Sequence, residues 1–295
     1  MIWVAVGIGV YLLILLLLVW KSVAPFRIPI FLSPGQLGLP QEKVAFTTRD
    51  GVEIKAWWMP VEGAKTVAVF LHGYMMNRSE LVALAAMMWQ RGVACLLLDL
   101  RAHGESGGKK TGFGWFERED ARAAVQFVRT QLPLAKVLFV GSSMGSAAAA
   151  FAVSEEPGLA DALILDSVYS RLDWAAIGWW RFLGGPLLMV ICAPTLILSR
   201  LILGFRLKNA DVAESLRIAG KPALLLHGDK DQLALPREAI RNAAAIPDHG
   251  TLVWFERCNH SGGRYFRCEE FNAAVFDWME DQGLVDRSDS AKAQV

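Results

Sequence analysis

The sequence carries almost no net charge, because 30 lysines and arginines are balanced by 29 aspartates and glutamates. Proteins that bind nucleic acids concentrate basic residues in a patch or stripe, so this balance gives no support to a nucleic-acid partner. Cysteine is also scarce, and Cys95, Cys192, Cys258 and Cys268 lack the close pairing and the histidines of a zinc site. There is no internal repeat and no low-complexity block. We therefore expect no nucleic acid and no metal.

Charge is absent from one long segment at the N-terminus. The run from Ile2 to Trp20 has no charged residue, and its length as a helix is sufficient to cross a hydrocarbon core of about 30 Å. A signal peptide has a positively charged region before its apolar segment, and here no Lys or Arg precedes the run. A membrane anchor at residues 1–24 is therefore favoured over a cleaved signal. Lys21 and Arg27 follow the run and favour a cytoplasmic location for the rest of the chain.

Apolar runs alternate with helix-like segments over most of the remaining chain. After a linker at residues 25–42, two alternating segments flank Arg49-Asp50-Gly51 and predict a hairpin. Further apolar runs are Thr66 to Leu71, Val93 to Leu98, Lys136 to Val140, Ala162 to Leu165, Ala223 to Leu226 and Leu252 to Phe255. This pattern predicts one α/β domain at residues 43–284, a mostly parallel sheet with helices on both faces, and a disordered tail at 285–295.

One turn between a strand and a helix has the spacing of a nucleophile. Residues 141–145 read GSSMG, and they connect an apolar run to an alanine-rich helical segment. In the pattern G-x-S-x-G the small end residues let strand and helix approach closely around the central serine. Ser143 is the central residue, and we expect Ser142 to be a turn residue only.

Acidic and histidine residues follow the later strands, at the edge of a parallel sheet where chemistry concentrates. A serine hydroxyl becomes nucleophilic when an imidazole accepts its proton and a carboxylate orients that imidazole. Ser143 is followed in the chain by candidate acids at 166, 229 and 231 and by His260, which is the order of a strand-to-helix elbow. The oxyanion would then accept hydrogen bonds from the backbone N–H groups of Tyr74 and Met144.

Four motifs together resemble the α/β-hydrolase superfamily over about residues 44–283. They are HGY at 72–74, DLRAHGES at 99–106, GSSMG at 141–145, and LLHGDKDQLALP with NHSGG near the C-terminus. The second departs from the family pattern D-x-R-G-H-G-x-S because Ala102 replaces a glycine. The resemblance is to serine esterases and lipases with a helical cap, and it implies an α/β-hydrolase fold. It also implies that Asp231 is the acid of the triad, with Asp229 capping a loop and Asp166 as the main rival.

The other four histidines are expected to lie in turns and loops and not in the triad. His72, His103 and His227 each precede glycine, where an imidazole typically braces a turn, and His249 lies in a polar turn. His260 follows the last strand, and the two glycines after Ser261 would let its loop bend toward the serine.

The segment from about 168 to 209 interrupts the alternation and is the position of the expected cap after the sixth strand. Its apolar stretch from Phe182 to Ser199 has no charge and contains Gly184-Gly185-Pro186 and Pro194. Topology argues against a single membrane crossing, because the strands on both sides belong to one sheet. We expect a cap that faces the bilayer or a re-entrant pair broken at those residues, with a buried cap core as the alternative.

These observations predict a membrane-anchored serine hydrolase that cleaves an ester of an apolar acyl group through an acyl-enzyme. Its partners would be a small-molecule or lipid ester and membrane lipid, and no cofactor is implied. A thioesterase, amidase or peptidase would use the same residues. The remaining alternative is a catalytically silent binding protein on the same fold.

Overall fold

A computed structural model describes residues 2–286, and the predicted tail at 285–295 lies almost entirely outside the described residues. Eight strands form one sheet in the order β1-β2-β4-β3-β5-β6-β7-β8. The first two strands and the β2–β4 pair are antiparallel, and every other pair is parallel. The strands are β1 (Glu42–Thr47), β2 (Glu53–Met59), β3 (Thr66–Leu71), β4 (Ala94–Leu98), β5 (Lys136–Ser142), β6 (Ala162–Asp166), β7 (Ala223–Gly228) and β8 (Gly250–Phe255).

The helices are α1 (Ile2–Val23), α2 (Val82–Gln90), α3 (Arg118–Gln131), α4 (Met144–Glu155), α5 (Leu172–Cys192), α6 (Thr195–Leu203), α7 (Val212–Ala219), α8 (Pro236–Ala244), α9 (Gly263–Phe266) and α10 (Cys268–Asp281). Short 3₁₀ segments occupy Pro34–Leu37 and Leu207–Asn209. The sequence did not predict α7 or α10. Asp211 caps the first of these through its carboxylate and Gly220 ends it in the left-handed conformation, which are local signals that were available.

Helices cover both faces of the central strands, as the apolar runs predicted. Alternate residues of β3 point to opposite faces, so Val67 and Val69 belong to the core on the side of α3 and α4, whereas Ala68 and Phe70 belong to the core on the side of α2. Every residue of β3 is buried, because the strand is covered from both sides. The predicted fold class, a mostly parallel sheet between two helical layers, is confirmed.

The cap follows β6, the sixth strand, and consists of α5 and α6. The first of these is interrupted at Gly184 and Gly185, whose backbone angles are not helical, and α6 begins after Pro194. These are the residues at which the sequence predicted breaks. Much of the cap surface is apolar and exposed: the exposed fractions are 73% for Leu187, 65% for Val190 and 78% for Ile197. A fully buried cap core therefore does not describe this segment.

The N-terminal helix packs against the cap instead of standing apart from the domain. It has 22 residues with a mean hydropathy of 2.9, and both it and the longer cap helix are long and apolar enough to cross a membrane. Helices α1 and α6 lie in contact. Near its middle, the Tyr11 hydroxyl of α1 donates a hydrogen bond to the carbonyl of Ile191.

The segment after α1 is also tied to the domain. The guanidinium of Arg27 donates hydrogen bonds to four carbonyls of the loop after β4, those of His103, Gly104, Ser106 and Gly108. The Asn77 amide donates to two carbonyls of the same segment, at Ile28 and Pro29. The chain between α1 and β1 thus follows the edge of the sheet at which the strands end.

Candidate active site

Ser143 occupies a sharp turn between β5 and α4. Its φ is 48°, a left-handed value that a non-glycine residue adopts only under constraint. The flanking glycines are required: a Cβ on Gly141 would lie 2.4 Å from the Cα of Ser146, and one on Gly145 would lie 2.0 Å from the carbonyl oxygen of Leu71. The close approach of strand and helix that the motif predicted is present.

The structure brings the three residues predicted for the triad into one hydrogen-bonded chain. The Nε2 atom of His260 lies 2.9 Å from the Ser143 Oγ, and its Nδ1 atom lies 2.7 Å from Oδ2 of Asp231. A carboxylate only accepts hydrogen bonds, so Nδ1 carries the proton and Nε2 accepts from the serine hydroxyl. The other oxygen of Asp231 accepts from the N–H groups of Leu233 and Ala234, at 2.8 and 3.0 Å. This arrangement can remove a proton from Ser143.

Two opposing effects act on the pKa of His260. Burial lowers it, but the hydrogen bond and charge of Asp231 and the charge of Asp166 outweigh burial, so the pKa lies above its ordinary value. The charged imidazolium that forms during proton transfer is thereby stabilised.

The two rival carboxylates do not contact His260. Asp166 accepts a hydrogen bond from the Ser167 hydroxyl at 3.0 Å and faces Nε of Arg264 at 3.5 Å. Asp229 lies 3.3 Å from Nζ of Lys230. Geometry thus favours Asp231 as the residue that orients the imidazole.

Two backbone N–H groups are candidates for an oxyanion hole. Met144 is the first residue of α4, where the N–H has no acceptor within the helix, and Tyr74 lies in the loop after β3. Within residues 2–286, neither N–H donates a hydrogen bond to another group. Both residues line the same cavity as Ser143.

A buried charged cluster lies beside the serine, and the sequence analysis missed it. Glu80 accepts hydrogen bonds from the Gly73 N–H at 2.6 Å, from the Ser142 hydroxyl at 3.0 Å and from Nη2 of Arg264 at 2.5 Å. Burial raises the pKa of Glu80, but the charge of Arg264 and the Gly73 N–H outweigh it and lower the pKa below its ordinary value. The only sequence signal was a pair of charged residues close to the HGY and NHSGG motifs.

The histidines expected to brace loops do so. His72 donates to the carbonyl of Gly73 and accepts from the Leu100 N–H, and burial lowers its pKa to about 4. His227 donates to the carbonyl of Ala234. Ala102, which stands where the family pattern has glycine, has a φ of 62°, so the departure places a methyl group on a left-handed residue.

The cavity above Ser143 has a volume of about 400 Å³, and most of its walls are apolar. The catalytic side is formed by Ser143, His260 and the loop after β3, and the cap contributes Trp179, Trp180 and Leu203 among others. Glu80 is the one carboxylate that lines the cavity within the described part of the chain, and its oxygens are engaged by the contacts given above.

Comparisons with known proteins agree with this architecture. A family model described as serine aminopeptidase, S33, matches residues 62–201. The α/β-hydrolase domain-containing protein WAV2 of Arabidopsis thaliana is 26% identical over 256 residues, which cover 80% of this chain and 79% of that protein. An uncharacterised membrane protein of Saccharomyces cerevisiae is 23% identical over 140 residues, which cover 46% of this chain and 49% of that protein.

The structure of an esterase from Pyrococcus furiosus is similar to this one, with a TM-score of 0.73 and 25% identity over 88% of this chain and 98% of that one. The expected resemblance is thus confirmed by family, relative and fold. This chain has the α/β-hydrolase fold and is similar to esterases of that superfamily.

Proposed function

We propose that the protein is a membrane-attached serine hydrolase that cleaves esters of an apolar acyl group through an acyl-enzyme. The observation that carries the proposal is the hydrogen-bonded chain Ser143, His260 and Asp231, which opens into an apolar cavity. A binding protein without activity would not need a serine hydroxyl on a strained turn and in contact with an imidazole.

The proposed reaction begins when Nε2 of His260 accepts the proton of Ser143 and the oxygen attacks the ester carbonyl carbon. The negative oxygen of the tetrahedral intermediate accepts hydrogen bonds from the N–H groups of Tyr74 and Met144. His260 then donates its proton to the leaving alcohol as the carbon–oxygen bond breaks. The same imidazole then removes a proton from water, which attacks the acyl carbon. The bond from that carbon to the Ser143 oxygen breaks, the acid leaves, and His260 returns the proton to the serine.

An aminopeptidase is the second candidate, because the matching family model is described as serine aminopeptidase. Recognition of a free α-amino group needs a carboxylate that faces the substrate. Glu80 lines the cavity, but its carboxylate already accepts from Gly73, Ser142 and Arg264. This occupied carboxylate favours an ester over a peptide with a free N-terminus.

Membrane attachment is proposed from α1 and the cap together. Helix α1 is long and apolar, the cap exposes large apolar side chains, and the similar yeast protein is named a membrane protein. Packing of α1 on the cap supports a helix that is retained in the mature protein over a cleaved signal. Lys21 and Arg27 favour a cytoplasmic catalytic domain.

The test is labelling of the full chain with a fluorophosphonate, beside turnover of p-nitrophenyl esters and of amino-acid p-nitroanilides. We expect labelling at Ser143 and hydrolysis of the esters. Labelling with turnover of the anilides alone would favour the peptidase. Absence of labelling in a folded protein would establish the silent binding protein.

A further inference from the structure

One face of α1 lines the cavity above Ser143. Leu15, Val19 and Val23 recur every four residues and so lie on one face of the helix, where they are 1%, 6% and 1% exposed. Val19, Ser22 and Val23 contribute directly to the cavity wall. On another face of the same helix, Leu17 is 54% exposed. Lipid solvates a lone anchor on all sides, so an anchor with no other role needs no face buried against the catalytic domain.

Helix α6 also contributes to the wall of this cavity. Ser199 and Leu203 line the cavity, and their helix packs against α1. Residues of both helices thus line the same cavity as Ser143 and His260, and most of its wall is apolar. A group that is covalently attached to Ser143 can extend into this space without leaving the protein.

The last turn of α1 is fastened to the loops around the serine. The Tyr74 hydroxyl donates to the carbonyl of Ser22 at 2.7 Å, and the N–H of Thr111 donates to the carbonyl of Val23 at 2.8 Å. Because Tyr74 also supplies a proposed oxyanion N–H, the position of α1 is coupled directly to the reacting centre.

We propose that α1 is a wall of the acyl-binding pocket in addition to an anchor, that the acyl chain lies between α1 and α6, and that Val19 limits its length. The inference rests on the proposed ester hydrolysis and gives α1 a role in substrate selection. The outward faces of the two helices are apolar as well, with Leu17 of α1 and Leu201 of α6 54% and 75% exposed. An acyl chain from the bilayer would therefore meet apolar surface along its path.

The experiment compares p-nitrophenyl acetate, octanoate and dodecanoate as substrates for the full chain in detergent. Val19→Phe fills the pocket, Val19→Ala enlarges it, and Leu17→Phe adds the same ring to the lipid-facing side as a matched control. A methylene group in an apolar pocket changes kcat/KM by about 10-fold or more. We expect Val19→Phe to lower the dodecanoate-to-acetate ratio of kcat/KM by at least about 10-fold.

Val19→Ala should raise the same ratio, and Leu17→Phe should leave it unchanged. Equal ratios in Val19→Phe and Leu17→Phe would overturn the proposal. If Val19→Phe also loses acetate turnover and labelling, Val19→Ala decides, and an unchanged ratio in that variant refutes the pocket wall. If the wild-type protein neither reacts with the fluorophosphonate nor hydrolyses any ester, both the proposed function and this inference are refuted. If the variants are active but share the same dodecanoate-to-acetate ratio, only this inference is refuted.

Discussion

At Ser143 the backbone conformation and the chemistry are linked. Its backbone angles, φ 48° and ψ −106°, lie in a sparsely populated region and carry a cost on the order of 1–3 kcal/mol. The surrounding structure imposes this conformation: the Ser143 N–H donates to the carbonyl of Asp166, and the carbonyl of Ser143 accepts from Ala147. The strain directs the hydroxyl toward His260, so the cost is part of the arrangement that the proposed reaction uses.

Removal of the hydroxyl should have different effects at Ser143 and at its neighbour Ser142. We expect Ser143→Ala to lower ester turnover by several orders of magnitude, with about 10³-fold catalysis over water remaining from the oxyanion hole and binding. Ser142→Ala removes two hydrogen bonds, to Glu80 and from Arg264, but no group of the triad, so we expect a loss of about 10-fold or less. Steady-state kinetics on p-nitrophenyl acetate measures both, and equal losses would contradict the assignment.

Substitution of each of the three candidate carboxylates should have a different effect on catalysis. Asp231→Asn should reduce turnover by about 10⁴-fold, because the amide no longer stabilises the imidazolium. The charge of Asp166 raises the pKa of His260, as does Asp231, whereas Arg264 lowers it. Asp166→Asn should therefore lower the pKa of His260 and move the acidic limb of kcat/KM to lower pH, since the base must be neutral to act. Asp229→Asn should do neither, and a larger turnover loss in Asp166→Asn than in Asp231→Asn would identify Asp166 as the acid.

Catalytic residues could be predicted from the sequence where their chemistry depends on the spacing within a local motif. Ser143 and His260 followed from the elbow and from chain order, whereas the choice of Asp231 over Asp166 needed the family resemblance. Glu80 and Arg264 could not be predicted, because their contact joins positions 184 residues apart and no local pattern encodes it.

At the scale of elements, Arg264 joins loops that surround the serine. It belongs to α9 directly after the His260 loop, and it contacts Glu80 after β3, Ser142 at the end of β5 and Asp166 at the end of β6. The Arg264 side chain is 10% exposed, and the Glu80 and Asp166 side chains are 5% and 6% exposed. A buried cation between two carboxylates fixes the relative positions of these loops.

Arg264→Met leaves two buried carboxylates without their cation. We expect a loss in the free energy of unfolding of about 3–5 kcal/mol near neutral pH, the cost of breaking a buried pair. Burial already raises the pKa of Asp166, and without Arg264 it raises the pKa of Asp166 further and that of Glu80 above the unfolded value. Protonation then favours the folded state, so the loss is smallest at acidic pH, where both carboxyls are protonated, and grows as the pH rises.

Urea unfolding of the detergent-solubilised protein at several pH values measures this loss. Arg217→Met is the control, because Arg217 pairs with Glu214 on the surface and its side chain is 62% exposed. We expect no measurable change in that variant. A loss in Arg264→Met that does not depend on pH would contradict the assigned role of the two carboxylates.

The strands were predicted well, because buried parallel strands are short apolar runs that stand out in a sequence. The sequence placed β3 at Thr66 to Leu71, which is the observed range. The contact between α1 and the cap was not predicted, because a uniformly apolar helix does not reveal which face packs on protein and which faces lipid.

At the scale of the whole molecule, the lengths of α1 and the cap limit how the protein can lie in a bilayer. The 22 residues of α1 form a rod of about 33 Å. The cap lies beside the C-terminal half of α1, since Ile191 contacts α1 at Tyr11. About 14 Å of α1 extends from that contact toward the N-terminus. A hydrocarbon core is about 30 Å thick. If α1 crosses it, the cap must also enter the adjacent leaflet.

A native thiol reports which side of the membrane the catalytic domain occupies. Cys268 is exposed, whereas Cys95, Cys192 and Cys258 are buried. If the domain is cytoplasmic, we expect a membrane-impermeant maleimide to label the protein only after the cells that express it are permeabilised. Cys268→Ser should abolish that labelling. Labelling of Cys268 in intact cells would place the domain on the opposite side.

The proposed contact of the cap with the membrane can be tested by placing charge on its exposed face. Such charge should impede access to lipid substrate without affecting the triad. The variant with Leu187→Asp, Val190→Asp and Ile197→Asp places three carboxylates on this face. Each such charge costs about 2.5–3.5 kcal/mol at the centre of a membrane helix and less near the interface. We therefore expect at least about 10-fold slower hydrolysis of a long-chain ester embedded in vesicles, with unchanged turnover of soluble p-nitrophenyl acetate.

The matched control changes three exposed apolar residues outside the cap to aspartate: Leu134, Ile218 and Ile240, which are 98%, 51% and 57% exposed. Both variants keep α1, so both should remain with the vesicles on flotation, and a difference in rate cannot then arise from lost attachment. We expect the control to hydrolyse the embedded ester at the wild-type rate. If the two variants hydrolyse it equally fast, the cap does not meet the bilayer, and α1 alone attaches the protein to the membrane.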